Sequence, residues 1–146
     1  MSYETLNPEE TLDRLDGDGD WTYVDVRTPE EFARGHVPGA YNIPAFFPGP
    51  MGMMPNPEFA GAVGAHFSTD RALVMGCAAG GRSMHACEEL AGLGYTQLIN
   101  MDGGFNGRPD PTGGPDVPGW QERGFPVVET AEKGHEWESL RGAGTE

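Results

Sequence analysis

The sequence predicts an α/β fold with a mostly parallel central sheet that is covered by helices on both faces. Segments rich in apolar and β-branched residues, typical of strands, alternate along the chain with segments that begin with helix-capping signals. One predicted strand, residues 71–76, is an almost continuous apolar run, as expected where both faces of a parallel sheet are buried. The 146 residues are enough for one ordinary domain with its own core.

The first half of the chain supplies two helices and two strands. Asn7-Pro8-Glu9-Glu10 combines a capping residue, a proline at the first helical position and acids in the first turn, so a short helix begins there. Trp21 to Val26 is rich in aromatic and β-branched residues and predicts a strand. Thr28-Pro29-Glu30-Glu31 starts a second helix, for which Gly35 is a suitable end. Tyr41 to Pro44 predicts a short strand closed by proline.

The second half continues this alternation after residues 45–55. That segment, AFFPGPMGMMP, contains too much proline and glycine for regular structure. We expect a loop that packs its own side chains, or an apolar rim beside the active site. Helices are predicted from Asn56 to about Phe67 and from Ser83 to Leu93, and a strand from Gln97 to Met101.

Residues 1–128 are predicted to form a single domain, followed by a polar tail at residues 129–146. Within the domain, residues 102–119, DGGFNGRPDPTGGPDVPG, are dominated by glycine, proline and aspartate. Such a segment cannot form a core, so we expect a surface insertion. In the tail, Trp137 and Leu140 could dock a last helical turn, but the polar composition favours fraying.

The composition restricts the classes of function. The formal net charge is −14, from nine basic and 23 acidic residues, which argues against binding to nucleic acid. The longest run of apolar residues and glycine, 72–81, is shorter than the ~18 residues expected of a membrane span. The N-terminus carries no signal or transit pattern, so we expect a cytoplasmic protein. Two cysteines are too few for a disulfide framework, and the four histidines show no zinc-ligand spacing with them.

The stretch 76-GCAAGGRS-83 carries the candidate chemistry. Cys77 ends the apolar strand, so its sulfur lies at the carboxyl edge of the sheet, where open α/β folds bind ligands. Small residues follow, whose backbone N–H groups can turn inward around an anion, and Arg82 adds a cation at the start of the next helix. These N–H groups, the helix dipole and the guanidinium stabilise negative charge, so we expect a reactive thiolate at neutral pH. The small residues are Ala78, Ala79, Gly80 and Gly81.

His85 and Cys87 lie on the helix that follows. Cys87 falls on the apolar stripe with Leu90 and Leu93, and it either packs in the core or acts as a resolving thiol that forms a disulfide with Cys77. His85 lies on the polar face, where it is a poor candidate for a general base.

Four segments of the chain together resemble a single-domain rhodanese, a sulfurtransferase. They are 23-YVDVRTPEEFARGHVPGAYNIP-44, 73-LVMGCAAGGRS-83, 92-GLGY-95, and 101-MDGGF-105 with the later 119-GWQERGFPV-127. The resemblance implies a central sheet of about five short strands, with Cys77 as the sulfur acceptor. The thiolate would take sulfane sulfur from thiosulfate or a related small anion and hold it as a persulfide. Cyanide, a thiol or a protein would then accept it, and no metal or organic cofactor is implied.

The resemblance also suggests roles for residues around Cys77. The backbone N–H groups of residues 78–82 and the Arg82 guanidinium would bind the donor's oxyanion and the persulfide. Asp25 and Arg27 match the family's DVR element, while Glu31 and His36 match its EF…GH element. For these four residues we favour support of the loop over direct chemistry, since a carboxylate and a guanidinium so close in sequence usually pair with each other.

Loop length separates two chemistries within this superfamily. Cys77 to Arg82 is six residues, the length that the family associates with sulfur transfer, whereas the related cell-cycle phosphatases have one residue more. Phosphatase or arsenate reductase activity is therefore the weaker alternative. The sequence departs from the family at residues 106–119, which precede the expected tryptophan, Trp120, and which could cover the mouth of the site. Since Arg82 is the only charged residue of the loop, the sequence does not specify the donor.

Other functions stay open at this point. A persulfide carrier without turnover, or a regulatory interaction module, would explain the acidic surface, the Met-rich segment and the insertion. Thiol-redox chemistry would use Cys77 together with Cys87. The sequence does not indicate an oligomeric state.

Overall fold

A computed structural model describes residues 3–17 and 19–141 of the chain, so the last five residues of the predicted tail, 142–146, lie outside the described residues. No helix in these ranges is long and apolar enough to cross a membrane. In chain order the elements are β1 (Glu4–Leu6), α1 (Pro8–Asp16), β2 (Trp21–Asp25), α2 (Pro29–Ala33), β3 (Tyr41–Asn42), β4 (Phe46–Gly49), β5 (Gly52–Pro55), α3 (Phe59–His66), β6 (Ala72–Gly76), α4 (Gly81–Gly92), β7 (Gln97–Met101) and α5 (Trp137–Leu140).

The central sheet has the strand order β1-β7-β6-β2-β3, and every pair of neighbours is parallel. The predicted α/β fold with about five strands is therefore confirmed. The apolar strand β6 lies at the centre of the sheet and is buried, as its composition indicates. The sequence does not predict β1, because three mostly exposed residues at the sheet edge carry no apolar pattern.

Helices cover both faces of the sheet. On one face, α3 and α4 pack on Leu73 and Met75 of β6, and α5 joins the same core. On the other face, α1 and α2 pack on Val74 together with Phe105 and Trp120. This layering leaves the end of β6 at the carboxyl edge of the sheet, and Cys77, the next residue, packs in the core on the α3 and α4 side.

Residues 45–55 are regular, contrary to the prediction. Strands β4 and β5 form an antiparallel hairpin in which Phe46 lies opposite Pro55. Both strands of an isolated hairpin are edge strands, so each proline can turn its missing N–H to the unpaired side. Three methionines of this hairpin are exposed: Met51 at 90%, Met53 at 44% and Met54 at 46%.

The segment 102–119 is a surface excursion only in its middle. Arg108 and Val117 form an antiparallel bridge, and residues 109–116 between them are mostly exposed. Phe105 near its start is 3% exposed and packs in the core. The prediction of a surface insertion thus holds for residues 109–116 but not for Phe105, an aromatic residue that the surrounding glycines and prolines do not keep out of the core.

The described part of the tail, residues 129–141, is docked and not frayed. Trp137 and Leu140 are 3% and 2% exposed. The Asn42 N–H donates to the His135 carbonyl at 2.8 Å, and His66 Nε2 lies 3.1 Å from the Leu140 carbonyl oxygen. Trp137 and Leu140 thus anchor a helical turn in the core, although the polar composition of the segment favours fraying.

Candidate active site

Cys77 follows the central strand β6 at the carboxyl edge of the sheet. The preceding residue, Gly76, has no room for a side chain, because the Tyr23 hydroxyl lies where a Cβ atom would be. The Cys77 residue is 1% exposed. Its sulfur is therefore held beneath the protein surface, in the core on the α3 and α4 side of the sheet.

Two backbone N–H groups donate to the Cys77 sulfur. The Gly80 nitrogen lies 3.1 Å and the Ser83 nitrogen 3.3 Å from Sγ. Gly80 has a φ of 119°, a left-handed conformation that favours glycine, and it turns the chain from the loop into α4. The sulfur thus lies at the N-terminus of a 12-residue helix, where the helix dipole favours negative charge.

A turn at residues 103–106 holds the loop from the opposite side. The N–H groups of Phe105 and Asn106 donate to the carbonyls of Cys77 and Ala78, both at 2.8 Å. Because a trans peptide places its N–H opposite its C=O, the N–H groups of residues 78 and 79 point away from this turn. The turn therefore fixes the direction of the loop's donors as well as its position.

Three further residues shape the site and are not predicted from the sequence: Ser83, Asn100 and Gly104. The Ser83 hydroxyl lies 3.4 Å from the sulfur and can donate its proton to the Gly80 carbonyl at 3.1 Å or to Asn100 Oδ1. Gly104 has a φ of 58°, and a Cβ atom there would collide with the backbone of the loop. Ser83 directly follows the loop in sequence, whereas no local pattern marks Asn100, which lies on the neighbouring strand β7.

Within the described part of the chain, the Arg82 guanidinium hydrogen-bonds to Glu31 and not to the Cys77 sulfur. Its binding of a donor's oxyanion stays a prediction. Its Nη1 and Nη2 atoms lie 2.8 and 3.0 Å from the two Glu31 carboxylate oxygens. These hydrogen bonds raise the pKa of Arg82. Partial burial by itself raises the pKa of Glu31, but the hydrogen bonds from Arg82 and Thr28 outweigh it and lower that pKa to about 2.

Asp25 and Arg27 form a buried ion pair at the end of β2. Arg27 Nε and Nη2 donate to Asp25 at 3.0 and 2.8 Å, and Nη2 also donates to the Gly35 carbonyl at 2.7 Å. The guanidinium lies 4.3 Å from the centre of the Phe105 ring, whose backbone holds Cys77. Burial by itself lowers the pKa of Arg27, but the hydrogen bonds with Asp25 raise it, so the guanidinium stays charged. His36 lies nine residues after Arg27 in the chain, and its ring stacks on that of Phe32 with 3.7 Å between the ring centres.

Cys87 and Cys77 are both free thiols and both buried. Burial raises the pKa of Cys87 to about 12, with Glu88 a smaller cause, so its thiol is neutral at physiological pH. This environment fits the packing alternative for Cys87. His85 is exposed on α4, as expected, and the described residues contain no cluster of three metal-binding side chains.

Comparisons with known proteins agree with this architecture. A family profile of the rhodanese-like domain matches residues 7–107. The chain is 43% identical over 84 residues to "Thiosulfate sulfurtransferase 16, chloroplastic" of Arabidopsis thaliana, a match that covers 58% of this chain and 70% of that protein. It is 30% identical over 123 residues to "Sulfurtransferase" of Allochromatium vinosum, covering 84% and 92%. Several other plant relatives are longer, and this chain spans about half of their length.

Solved structures show the same fold. The crystal structure of a protein from M. tuberculosis superimposes with a TM-score of 0.68 at 23% identity, covering 88% of this chain and all (100%) of that one. A rhodanese-like domain protein from Staphylococcus aureus gives a TM-score of 0.57 at 26% identity, covering 70% and 87%. The profile match, the named relatives and the order of elements around Cys77 lead to one conclusion: the chain belongs to the rhodanese-like domain family.

Proposed function

We propose that the protein is a sulfurtransferase that carries sulfane sulfur as a persulfide on Cys77. The observation that carries this proposal is the placement of the Cys77 sulfur, which accepts the N–H groups of Gly80 and Ser83 at the N-terminus of α4. A helix N-terminus with inward N–H groups stabilises an anion, and both the thiolate and the persulfide are anions.

The proposed cycle has two displacement steps. The Cys77 thiolate attacks the outer sulfur of thiosulfate, a sulfur–sulfur bond forms, and the donor's own sulfur–sulfur bond breaks as its electron pair leaves with sulfite. In the second step cyanide or a thiolate attacks the terminal sulfur of the persulfide, and the Cys77 thiolate is released. Each step conserves charge, and neither needs a cofactor.

The burial of Cys77 restricts the donor. Because the residue is 1% exposed, only a terminal atom of a donor can contact the sulfur, and a sulfane sulfur is such an atom. The loop N–H groups that point away from the 103–106 turn would bind the donor's other atoms and the persulfide. Those N–H groups belong to Ala78 and Ala79, and the Gly80 N–H already donates to the sulfur. We propose that Ala78, Ala79, Gly80, Gly81 and Arg82 together bind the donor and the persulfide.

Asp25 and Arg27 are proposed to support the loop without touching the substrate. Their ion pair ties the end of β2 to Gly35 and contacts Phe105, which in turn donates to the Cys77 carbonyl. A cytoplasmic location is also part of the proposal, and immunolocalisation of the native protein tests it.

The direct test is the mass of the intact protein after incubation with thiosulfate, mercaptopyruvate or glutathione persulfide. We expect one added sulfur on the wild type and on Cys87→Ala, none on Cys77→Ser, and release of that sulfur as thiocyanate on addition of cyanide. Absence of added sulfur with all three donors would contradict the proposal. Added sulfur on Cys77→Ser would place the chemistry on Cys87.

A carrier without turnover is the second candidate. The exposed methionines of the β4–β5 hairpin, at 44% to 90%, together with the net charge of −14, favour docking to a basic protein. Steady-state thiocyanate formation separates the two functions: a carrier would form thiocyanate once per Cys77 and then stop, whereas an enzyme continues.

A further inference from the structure

The only charged side chain of the loop is neutralised by another part of the protein. Both terminal nitrogens of Arg82 bind the two oxygens of Glu31, at 2.8 and 3.0 Å. The Arg82 and Glu31 side chains are only 19% and 25% exposed, so solvent screens this contact incompletely. A two-pronged guanidinium–carboxylate pair of this kind is among the strong hydrogen-bonded contacts in proteins.

Glu31 is held in place independently of Arg82. Its Oε1 atom accepts from the Thr28 N–H and the Thr28 hydroxyl, both at 3.1 Å, in the capping box of α2. A bound anion that took Arg82 away from Glu31 would leave the carboxylate fixed nearby, as an unpaired negative charge. The carboxylate therefore opposes each additional negative charge on a ligand at the loop.

We infer that Glu31 is a specificity-determining residue that directs the protein toward sulfur donors with at most one negative charge, such as thiol persulfides and thiosulfonates, and against dianions such as thiosulfate. This inference rests on the proposed sulfurtransferase function. Because Glu31 neutralises Arg82, the loop presents N–H groups and a helix dipole to an incoming sulfur donor, but no net positive charge. A dianion also meets the overall charge of −14, although screening at cellular salt reduces that effect.

Two donors with similar atoms and different charge allow a direct comparison. Methanethiosulfonate and thiosulfate both present a terminal sulfur on an oxidised sulfur centre, with one and two negative charges. Attack by the Cys77 thiolate gives the same Cys77 persulfide in both cases, and the electron pair of the broken sulfur–sulfur bond leaves with methanesulfinate or with sulfite. Any change in the ratio of their kcat/KM values therefore reports on charge at the loop.

Glu31→Gln removes the charge and keeps the local fold. Glutamine at this position preserves a capping box, so α2 is expected to form. We expect the KM for thiosulfate to fall about fivefold to tenfold and the preference for methanethiosulfonate to narrow by roughly twofold to threefold, because a dianion feels a removed unit charge twice as strongly as a monoanion does. The matched control is Glu10→Gln, which makes the same change in the exposed capping box of α1 and should leave both values unchanged.

Arg82→Gln provides the opposite change. It leaves Glu31 unpaired, so the ratio of kcat/KM for methanethiosulfonate to that for thiosulfate should increase. Loss of structure alone would change this ratio in the same direction in Glu31→Gln and in Arg82→Gln. If persulfide forms but neither variant changes the ratio of the two donors, the inference is overturned and the sulfurtransferase proposal stands. If the wild type acquires sulfur from neither donor, both fall.

Discussion

Two helices of this protein begin with nearly the same four residues, and only one of them is tied to the active loop. Helix α1 follows 7-NPEE-10 and α2 follows 28-TPEE-31, and each has a complete capping box with proline in the first turn. Glu10 is exposed, whereas Glu31 also pairs with Arg82, which lies 51 residues farther along the chain. The same local motif therefore acts as a simple cap in α1 and as part of the candidate site in α2.

The difference arises from the surroundings of the two helices. Helix α2 starts soon after the Asp25–Arg27 ion pair in the chain, and the Glu31–Arg82 contact joins its first turn to the start of the loop helix α4. In α1 the guanidinium of Arg14 pairs instead with Glu4 at 2.9 Å. Identical capping chemistry thus acquires a second role only where the fold brings a cation to it.

The largest expected difference follows from replacing each capping glutamate by alanine. Glu31→Ala removes a partly buried ion pair and a cap, and we expect it to lower the free energy of unfolding at pH 7 by about 3–4 kcal/mol. A pKa lowered from 4.5 to about 2 alone corresponds to about 3 kcal/mol. Glu10→Ala removes an exposed cap contact and should cost about 0.5–1 kcal/mol. Urea denaturation of both variants measures the difference, and equal losses would contradict the comparison.

The second prediction concerns the dependence of the free energy of unfolding on pH. The folded-state pKa of Glu31 is depressed, so its contribution to stability is complete above pH 4.5 and is lost as the pH falls toward about 2. The difference in unfolding free energy between the wild type and Glu31→Gln should therefore shrink by about 3 kcal/mol between pH 6 and pH 2. Denaturant titrations at several pH values test this, with Glu10→Gln as the matched control. If the difference in unfolding free energy between the wild type and Glu31→Gln does not change with pH, the ionised Glu31 carboxylate is not the source of the stabilisation.

Sequence reasoning predicts those parts of the fold that local patterns encode. Both helix starts, the buried strand β6 and the position of Cys77 follow from residues within a few positions of each other. Helix α4 begins at Gly81, two residues before its predicted start, because Gly81 and Arg82 already form part of its first turn. The capping boxes of α1 and α2 are likewise local, and the family resemblance supplied the strand number.

The contacts that complete the site are not local, and the sequence does not reveal them. Arg82 is predicted to stabilise negative charge at the loop, but the hydrogen-bond partner of its guanidinium comes from α2. Asn100 reaches Ser83 from β7, and Phe105 supports Cys77 from an apparently unstructured insertion. Each of these contacts depends on the strand order β7-β6-β2, which brings distant segments to the same edge of the sheet.

The third prediction compares the capping residues themselves. Asn7→Ala and Thr28→Ala each remove the side-chain oxygen that accepts the N–H of the third helical residue, Glu10 or Glu31. Each substitution should lower the free energy of unfolding by about 1 kcal/mol. Thr28→Ala should cost somewhat more, since the Thr28 hydroxyl also donates to Glu31 and helps to hold it against Arg82. Thermal melts should show a decrease of roughly 2–4 °C per kcal/mol. Thr28→Ser keeps the hydroxyl and should restore most of the loss; if it does not, the methyl group and not the cap explains the effect.

The smallest expected effect involves the glutamates that precede the capping pair. Glu9 and Glu30 are exposed in the first turns of α1 and α2, where a negative charge gains only from the helix dipole. Glu9→Gln and Glu30→Gln should each lower the free energy of unfolding by about 0.3 kcal/mol at low salt, and by less at high salt, because exposed charges are screened. Melts at two salt concentrations measure both values. Glu30→Gln could instead be as destabilising as Glu31→Gln. That result would mean that the combined negative charge of the first turn of α2 stabilises Arg82, and that Glu31 does not differ from Glu10 through a specific contact.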